Sequence, residues 1–216
     1  MKFTNEISEL VYQDYRCIEP KDYQERIRFF EHNRSDINEL PYEVRLEISI
    51  EYTVALFEVG EYYQFLKYVD KLLEVTIIEN VYSIDGDDIY QELLFRKGCA
   101  LHNVVDFYAA DHIFSELVKI DKSNKTYQQV YHQNKVSQLR YEGQKFRSLV
   151  ILLLMVTGVM IGVELLIILP FFEHLGTGFE WARNLVFGFA LISIIYQELS
   201  IRFISKRKIS QLIKRQ

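Results

Sequence analysis

Apolar residues recur at three- and four-residue spacing through the first 143 positions and then run together. From Ser148 to Phe172 the segment SLVILLLMVTGVMIGVELLIILPFF holds one charge, Glu164. At 1.5 Å per residue its about 24 residues reach ~36 Å, enough to cross a ~30 Å hydrocarbon core with some tilt. After the loop EHLGTGFE, the run WARNLVFGFALISIIYQELSIRF is less uniform, because Arg183, Asn184, Gln197 and Glu198 confine its unbroken apolar centre to Leu185–Tyr196. Charge decides between a second crossing and a re-entrant segment. Lys145 and Arg147 precede the first run, the loop carries Glu173 and Glu180 without Lys or Arg, and Arg202, Lys206, Arg207, Lys208, Lys214 and Arg215 follow the second. Basic residues mark the cytoplasmic flank, so the expectation is a transmembrane hairpin, about 148–172 and 181–203, with both termini inside.

Upstream of the hairpin, residues 1–143 contain only Pro20 and Pro41 and show no sustained alternation, which predicts long helices with short joints. The expected helices run from about Thr4 to Cys17, Lys21 to His32 with Pro20 at its start, and Pro41 to Val59, with Asn33–Asp36 as a turn. Val44, Ile48, Tyr52, Ala55 and Leu56 form the stripe of the third, and Gly60 closes it as a C′ residue. A fourth helix carries Tyr62, Phe65, Leu66, Val69, Leu72 and Leu73. SIDGDD, Ser83 to Asp88, punctuates the chain before a fifth with Leu93, Leu94, Gly98 and Leu101. A sixth spans Asp106 to Ile120. The last, about Lys125 to Arg147, has Tyr127, Val130, Tyr131, Val136, Leu139 and Phe146 as its apolar positions and is expected to run into the membrane. The fold class is therefore all-α, a helical domain at 1–143 followed by a hairpin and basic tail at 144–216.

Charge divides along the same line: residues 1–143 hold 16 Lys and Arg against 26 Asp and Glu, whereas residues 144–216 hold 9 against 4. An acidic domain repels phosphate backbones, so nucleic acid is excluded as a partner. Cys17 and Cys99 stand far apart with no CxxC and no His at zinc spacing, which fits a reducing compartment and argues against a metal site. Met1-Lys2 leads into a polar segment, so the first membrane helix is expected to act as the targeting element. Abundant Ile, Tyr, Phe, Lys, Asn and Glu point to an AT-rich bacterial genome and hence a bacterial inner membrane.

An internal echo organises the helical domain. KDY at 21–23, GEY at 60–62 and VDF at 105–107 each open the second helix of a pair, at spacings of 39 and 45 residues. ELLFRKGCALHNVVDFYAADHIFSELVKIDKSN resembles the tetratricopeptide repeat (TPR) family, with Gly98, Leu101, Ala110, Phe114 and Leu117 at that family's small and large packing positions; LFEVGEYYQFLKYVDKLL resembles it more distantly. The repeat spacing exceeds the family's roughly 34 residues, no Trp opens a repeat, and Phe65 stands where the family has a small residue. The resemblance implies a TPR-like α-solenoid. It also implies a protein-binding groove lined by the first helix of each pair: Glu47, Ile50, Val54, Phe57 and Glu58, then Glu92, Phe95, Cys99, His102 and Asn103. The Lys and Asn set that grips a C-terminal carboxylate in some relatives is missing apart from Asn103. Glutamates beside Phe57 and Phe95 would instead suit an apolar or basic helix, unless these are ordinary core and surface positions or the chain's own last helix fills the groove.

Within the hairpin, Glu164 is an ionisable group in an apolar helix and is expected to have a partner. Arg183 lies at a similar depth, so an ion pair is one reading, a glutamate ring around a cation path in an oligomer a second, and a carboxyl kept protonated in lipid a third. Gly158 and Gly162 form a GxxxG pair that would let a second copy approach, on a face about 140° from Glu164. In the tail, Ile209, Leu212 and Ile213 share an interfacial stripe. Asp85, Asp87 and Asp88 lack the spacing of a calcium loop, and Tyr12, Tyr15, Tyr62 and Tyr63 are expected to offer some exposed binding surface. His112 and Glu116 share a helix face, but no Gly-rich phosphate loop, HExxH or nucleophile elbow occurs, so no catalysis, metal or cofactor is expected. The expected function is a membrane-anchored adaptor or scaffold whose cytoplasmic domain recruits a partner protein. The rival reading is an oligomeric two-helix pore regulated by that domain.

Overall fold

The computed structural model describes residues 6–78, 83–84, 87–172 and 176–214, and the side chains of these except 6–8, 83–84, 87, 145, 206 and 208–214. Among the described residues the chain is all-α apart from one minimal hairpin, and it divides into two compact units, residues 1–120 and 121–216.

The first unit contains α1 (Glu6–Cys17), α2 (Tyr23–His32), α3 (Arg34–Asn38), α4 (Tyr42–Glu58), α5 (Tyr62–Ile78), β1 (Ser83–Ile84), β2 (Asp87–Asp88), α6 (Ile89–Asn103) and α7 (Phe107–Ile120). The strands pair antiparallel, Ser83 with Asp88 and Ile84 with Asp87. From α4 onward each helix packs on the next, α4 on α5, α5 on α6 and α6 on α7, while α2 packs on α4. The expected α4 stripe forms the core: Val44, Ile48, Tyr52, Ala55 and Leu56 are all buried, together with Phe65, Val69, Leu93, Phe114 and Leu117. Each such aliphatic or aromatic side chain contributes about 1.5–3 kcal/mol through removal from water.

The echo in the sequence has a structural counterpart. α4 ends with Gly60 at φ 85°, Gly60 N–H donating to Phe57 O (3.0 Å) and Glu61 N–H to Leu56 O (2.9 Å). α6 ends with the same paired bonds, Val105 N–H to His102 O (3.1 Å) and Asp106 N–H to Leu101 O (3.0 Å), with Val105 at φ 67°. Both are Schellman turns, which satisfy the last helical carbonyls and turn the chain back on itself. The KDY segment does a different job. Asp22 accepts from Glu25 N–H (3.0 Å) as the N-cap of α2, after a longer connection from α1.

Where a turn was expected at Asn33–Asp36, the chain forms the short helix α3. Asn33 accepts from Ile37 N–H (2.9 Å), and this one further turn carries Ile37 into the core at 1% exposure. The expected continuous helix from Lys125 into the apolar segment is also interrupted. α8 (Lys125–Glu142) ends at Gly143, and α9 (Gln144–Val163) begins beyond it. A β-carbon on Gly143 would stand 2.5 Å from Gln197 Nε2, the far end of a flexible side chain that can swing aside.

α8, expected as the last helix of the first domain, belongs to the second unit, with α9, a π-helical turn at Glu164–Ile168, α10 (Leu169–Phe171) and α11 (Gly176–Lys214). α11 packs against both α8 and α9. Segments Phe146–Phe171 and Gly176–Ser205 are long and apolar enough to cross a membrane, and only 11% and 17% of their apolar windows are buried in the chain. A core helix of that length would be mostly covered. Large apolar side chains such as Met155, Val159, Leu166, Phe189 and Ile192 stay exposed instead.

Candidate functional site

On the first unit, the α4 and α6 residues expected to line a groove divide into two clusters. Glu47, half-buried, receives Arg16 (3.2 Å) and Tyr12 (3.4 Å) from α1. Next to it Glu51 accepts from Tyr15 (2.5 Å) and from Arg26 of α2 (2.6 Å). Burial, then the bond to Glu51, pushes the Tyr15 phenol well above its ordinary range. Tyr15 was expected to be partly exposed; at 1% exposure it is instead a core residue, its hydroxyl donating to the half-buried Glu51. Tyr63 is exposed, as expected of a surface position. Ile50 and Val54 line a cleft of about 440 Å³ together with Arg16, Ile18, Pro20, Tyr23, Arg26 and Glu51.

The second cluster is built around Arg96, which sequence reading did not single out. Its guanidinium pairs with Glu58 (3.3 Å) and Glu92 and stacks over the Phe57 ring at 5.7 Å. Three residues of the expected face, Glu58, Glu92 and Phe57, therefore meet around one cation, fixed because α5 holds α6 beside α4 and Lys97 adds an ion pair to Asp70 (2.6 Å). Phe95 is half-buried; Cys99 is also half-buried, and burial pushes its thiol up to about 11 against the lowering influence of Arg96. His102 lies edge-on to Phe107 with centroids 5.1 Å apart, and Asn103 Nδ2 donates to Cys99 O (2.9 Å). Glu47, Glu58 and Glu92 thus each have an arginine of their own chain. Arg96 was legible only as a cation four residues after Glu92; its second carboxylate comes from 38 positions upstream.

In the second unit, α9 and α11 meet along a seam to which Val150, Thr157 and Glu164 contribute at seven-residue intervals and Ala190, Ser193 and Ile201 from the other side, all buried. Glu164, at 8% exposure, pairs with Arg183 of α11. Arg183 also holds Asn184 Oδ1 through Nε (3.2 Å) and Nη2 (3.1 Å) and reaches Glu180 at 3.9 Å. Glu164 opens the π-helical turn, a widened backbone ring often associated with a functional or strained position. Gly158 and Gly162 lie off this seam, with nothing within 4 Å of a β-carbon at either.

The polar residues that interrupt the second apolar run also have partners. Gln197 donates to Gly143 O (3.3 Å), and Glu198 pairs with Arg140 (3.5 Å) and Arg202 (3.3 Å). α8 turns a polar face inward: Asn134, Lys135 and Gln138 are buried with Tyr131, and Lys135 Nζ donates to Gln138 Oε1 (2.6 Å). Only Tyr131 of its expected apolar positions is fully buried, since the buried groups satisfy one another and α11 supplies Ser205 opposite His132 (3.4 Å).

Of the remaining expectations, Asp88 is the N-cap of α6, accepting from Gln91 N–H (3.0 Å), whereas Asp85 lies outside the described residues. Glu116 pairs with Lys119 (2.6 Å). The side chains of Ile209, Leu212 and Ile213 lie outside the described set. Among the described residues no three His, Cys, Asp or Glu side chains converge as a metal site would require. No family model, curated protein or solved structure matches this chain.

Proposed function

We propose that this protein is a membrane-anchored adaptor, in which a TPR-like helical-repeat domain on the cytoplasmic side recruits a partner protein and a two-helix hairpin holds it at the inner face of a bacterial membrane. The observation that carries the reading is the duplicated Schellman turn at Gly60 and Val105. It joins α4 to α5 and α6 to α7 at a 45-residue spacing, with α5 packed on α6, as stacked helix pairs in a repeat protein require. Gly98 facing Phe114 supports it from the packing side. The apolar, largely uncovered segments Phe146–Phe171 and Gly176–Ser205 support the anchor, and the basic flanks support a topology with both termini in the cytoplasm.

The partner of such a domain would be an amphipathic helix set against α4 and α6. Ile50, Val54 and Phe95 would supply apolar contact, and the glutamates would orient it by exchanging Arg16 and Arg96 for cations of the partner. The pairing of Glu164 with Arg183 favours the adaptor over the pore, since a carboxylate already neutralised within one chain is poorly suited to line a cation path.

The test is gentle-detergent purification of the tagged full-length protein from its own cells, with mass measurement of the particle. A stoichiometric companion that is lost on Val54→Arg exchange is the expected result. A particle made of many copies of this chain alone would overturn the reading and move the weight to the pore.

A further inference from the structure

We propose that the hollow enclosed by α2, α3, α4 and α5 is a binding site for a small phosphate ester with an apolar body. The cavity measures about 500 Å³, within the range of small-molecule pockets. Arg34, Arg45 and Lys71 lie on its lining, and no Asp or Glu does. This runs against the character of the unit, because residues 1–120 hold 12 Lys and Arg against 24 Asp and Glu.

The three cations are available in different degrees. Arg16, Arg26, Arg28 and Arg96 each hold a glutamate. Arg45 instead donates through Nη1 to Asn38 O (2.9 Å) and stacks over Tyr42 at 5.7 Å, so it is positioned without being neutralised. Arg34 and Lys71 are exposed and, among the described residues, have no hydrogen-bond or ion-pair partner. Glu31 is near but off the lining, 3.5 Å from the Tyr52 hydroxyl.

Beneath this charge lies an aromatic floor. Phe30 and Tyr52 stack with centroids 3.9 Å apart, Tyr68 meets Tyr52 edge-on at 5.3 Å, and Ile37 and Leu72 are buried around them. The Ser49 and Thr53 hydroxyls donate to the carbonyls of Arg45 (2.7 Å) and Ser49 (2.8 Å), and the Tyr52 hydroxyl donates to Glu31, so donors for a ligand come from the cations. Three cations, none of them paired with a carboxylate among the described residues, repel one another. A phosphate monoester brings about 1.5–2 negative charges and three acceptor oxygens, and guanidinium forks match it in shape. The aromatic floor then favours an ester over inorganic phosphate. On α4, the pocket positions Arg45, Ser49 and Tyr52 point about 165° away from Glu47, Ile50 and Val54, so the site is independent of the adaptor reading.

Phenyl phosphate is the probe, titrated by calorimetry into the full-length protein in detergent at constant ionic strength, with inorganic phosphate and benzyl alcohol alongside. The expected result is saturable binding of phenyl phosphate, weaker binding of inorganic phosphate and none of benzyl alcohol. Arg34→Gln and Lys71→Gln should each weaken binding by at least about tenfold, the scale of one charge-assisted hydrogen bond. Both side chains are exposed, so circular dichroism and elution volume should stay unchanged. No saturation by phenyl phosphate at concentrations on the order of 10 mM, or affinity unaltered in both variants, would overturn the site. Equal affinity for inorganic phosphate would overturn its assignment to an ester, and equal affinity for benzyl alcohol its assignment to an anion.

Discussion

A β-carbon built on Gly98 would stand 2.6 Å from Cε1 of Phe114, inside the closest approach two carbons tolerate. Phe114 is 2% exposed and has no room to withdraw, so α6 and α7 lie as close as they do because residue 98 has no side chain. Gly98→Ala should therefore destabilise the protein although alanine is the better helix former. Overpacking costs about 1–3 kcal/mol against about 1 kcal/mol gained in propensity. Thermal or urea unfolding of the full-length protein should show the loss deepening in Gly98→Val. Adding Phe114→Leu to Gly98→Ala should cost less than the two changes summed.

The two Schellman turns differ in their C′ residue, and the difference has a sign. Val105 holds a left-handed backbone (φ 67°) that a β-branched residue adopts at a cost of about 1–2 kcal/mol, whereas Gly60 adopts φ 85° freely. Val105→Gly should stabilise the protein by roughly 0.5–1 kcal/mol after its greater unfolded-state entropy is subtracted, and Gly60→Val should destabilise it by more. Unfolding midpoints of the two variants should move in opposite directions.

The Glu164–Arg183 pair joins α9 to α11, the carboxylate buried and the guanidinium half-buried. Removing one partner of a buried pair typically costs about 3–5 kcal/mol because the other is left uncompensated, whereas replacing both with apolar residues is often neutral. Arg183→Leu should thus lower the melting temperature in detergent, and adding Glu164→Leu should restore much of the loss. A single variant as stable as the wild type would show that the pair is dispensable.

Alkaline pH should weaken the fold through groups that folding keeps neutral. Burial raises the Cys99 thiol to about 11, and the Tyr15 and Tyr52 phenols are raised as well, chiefly by burial. A folded-state value above the unfolded one means that the neutral form is favoured by folding. The associated stability is complete below the unfolded value near 9 for Cys99 and lost as pH rises through 11. Urea midpoints should fall over that window, less steeply in Cys99→Ala. At neutral pH, exposed Cys17 should react with maleimide well before half-buried Cys99.

Periodicity alone determined the all-α class, the α4 stripe, the C′ role of Gly60 and the two long apolar segments. Each is decided by residues three or four positions apart, or by a run of residues with one character, and such local regularities survive in a linear string. The 45-residue echo was legible for the same reason, because two turns that satisfy the same carbonyls demand similar residues. Only the tertiary structure decided which partner each charge would have. Arg96 joins Glu58 from 38 positions away, Glu51 collects Tyr15 and Arg26 from two helices, and α8 buries Asn134, Lys135 and Gln138. It also brought Arg34, Arg45 and Lys71 to one hollow from three separate helices. A polar side chain enters the interior only when another segment supplies its hydrogen bonds, and that depends on how helices pack, which the spacing within any one of them does not record.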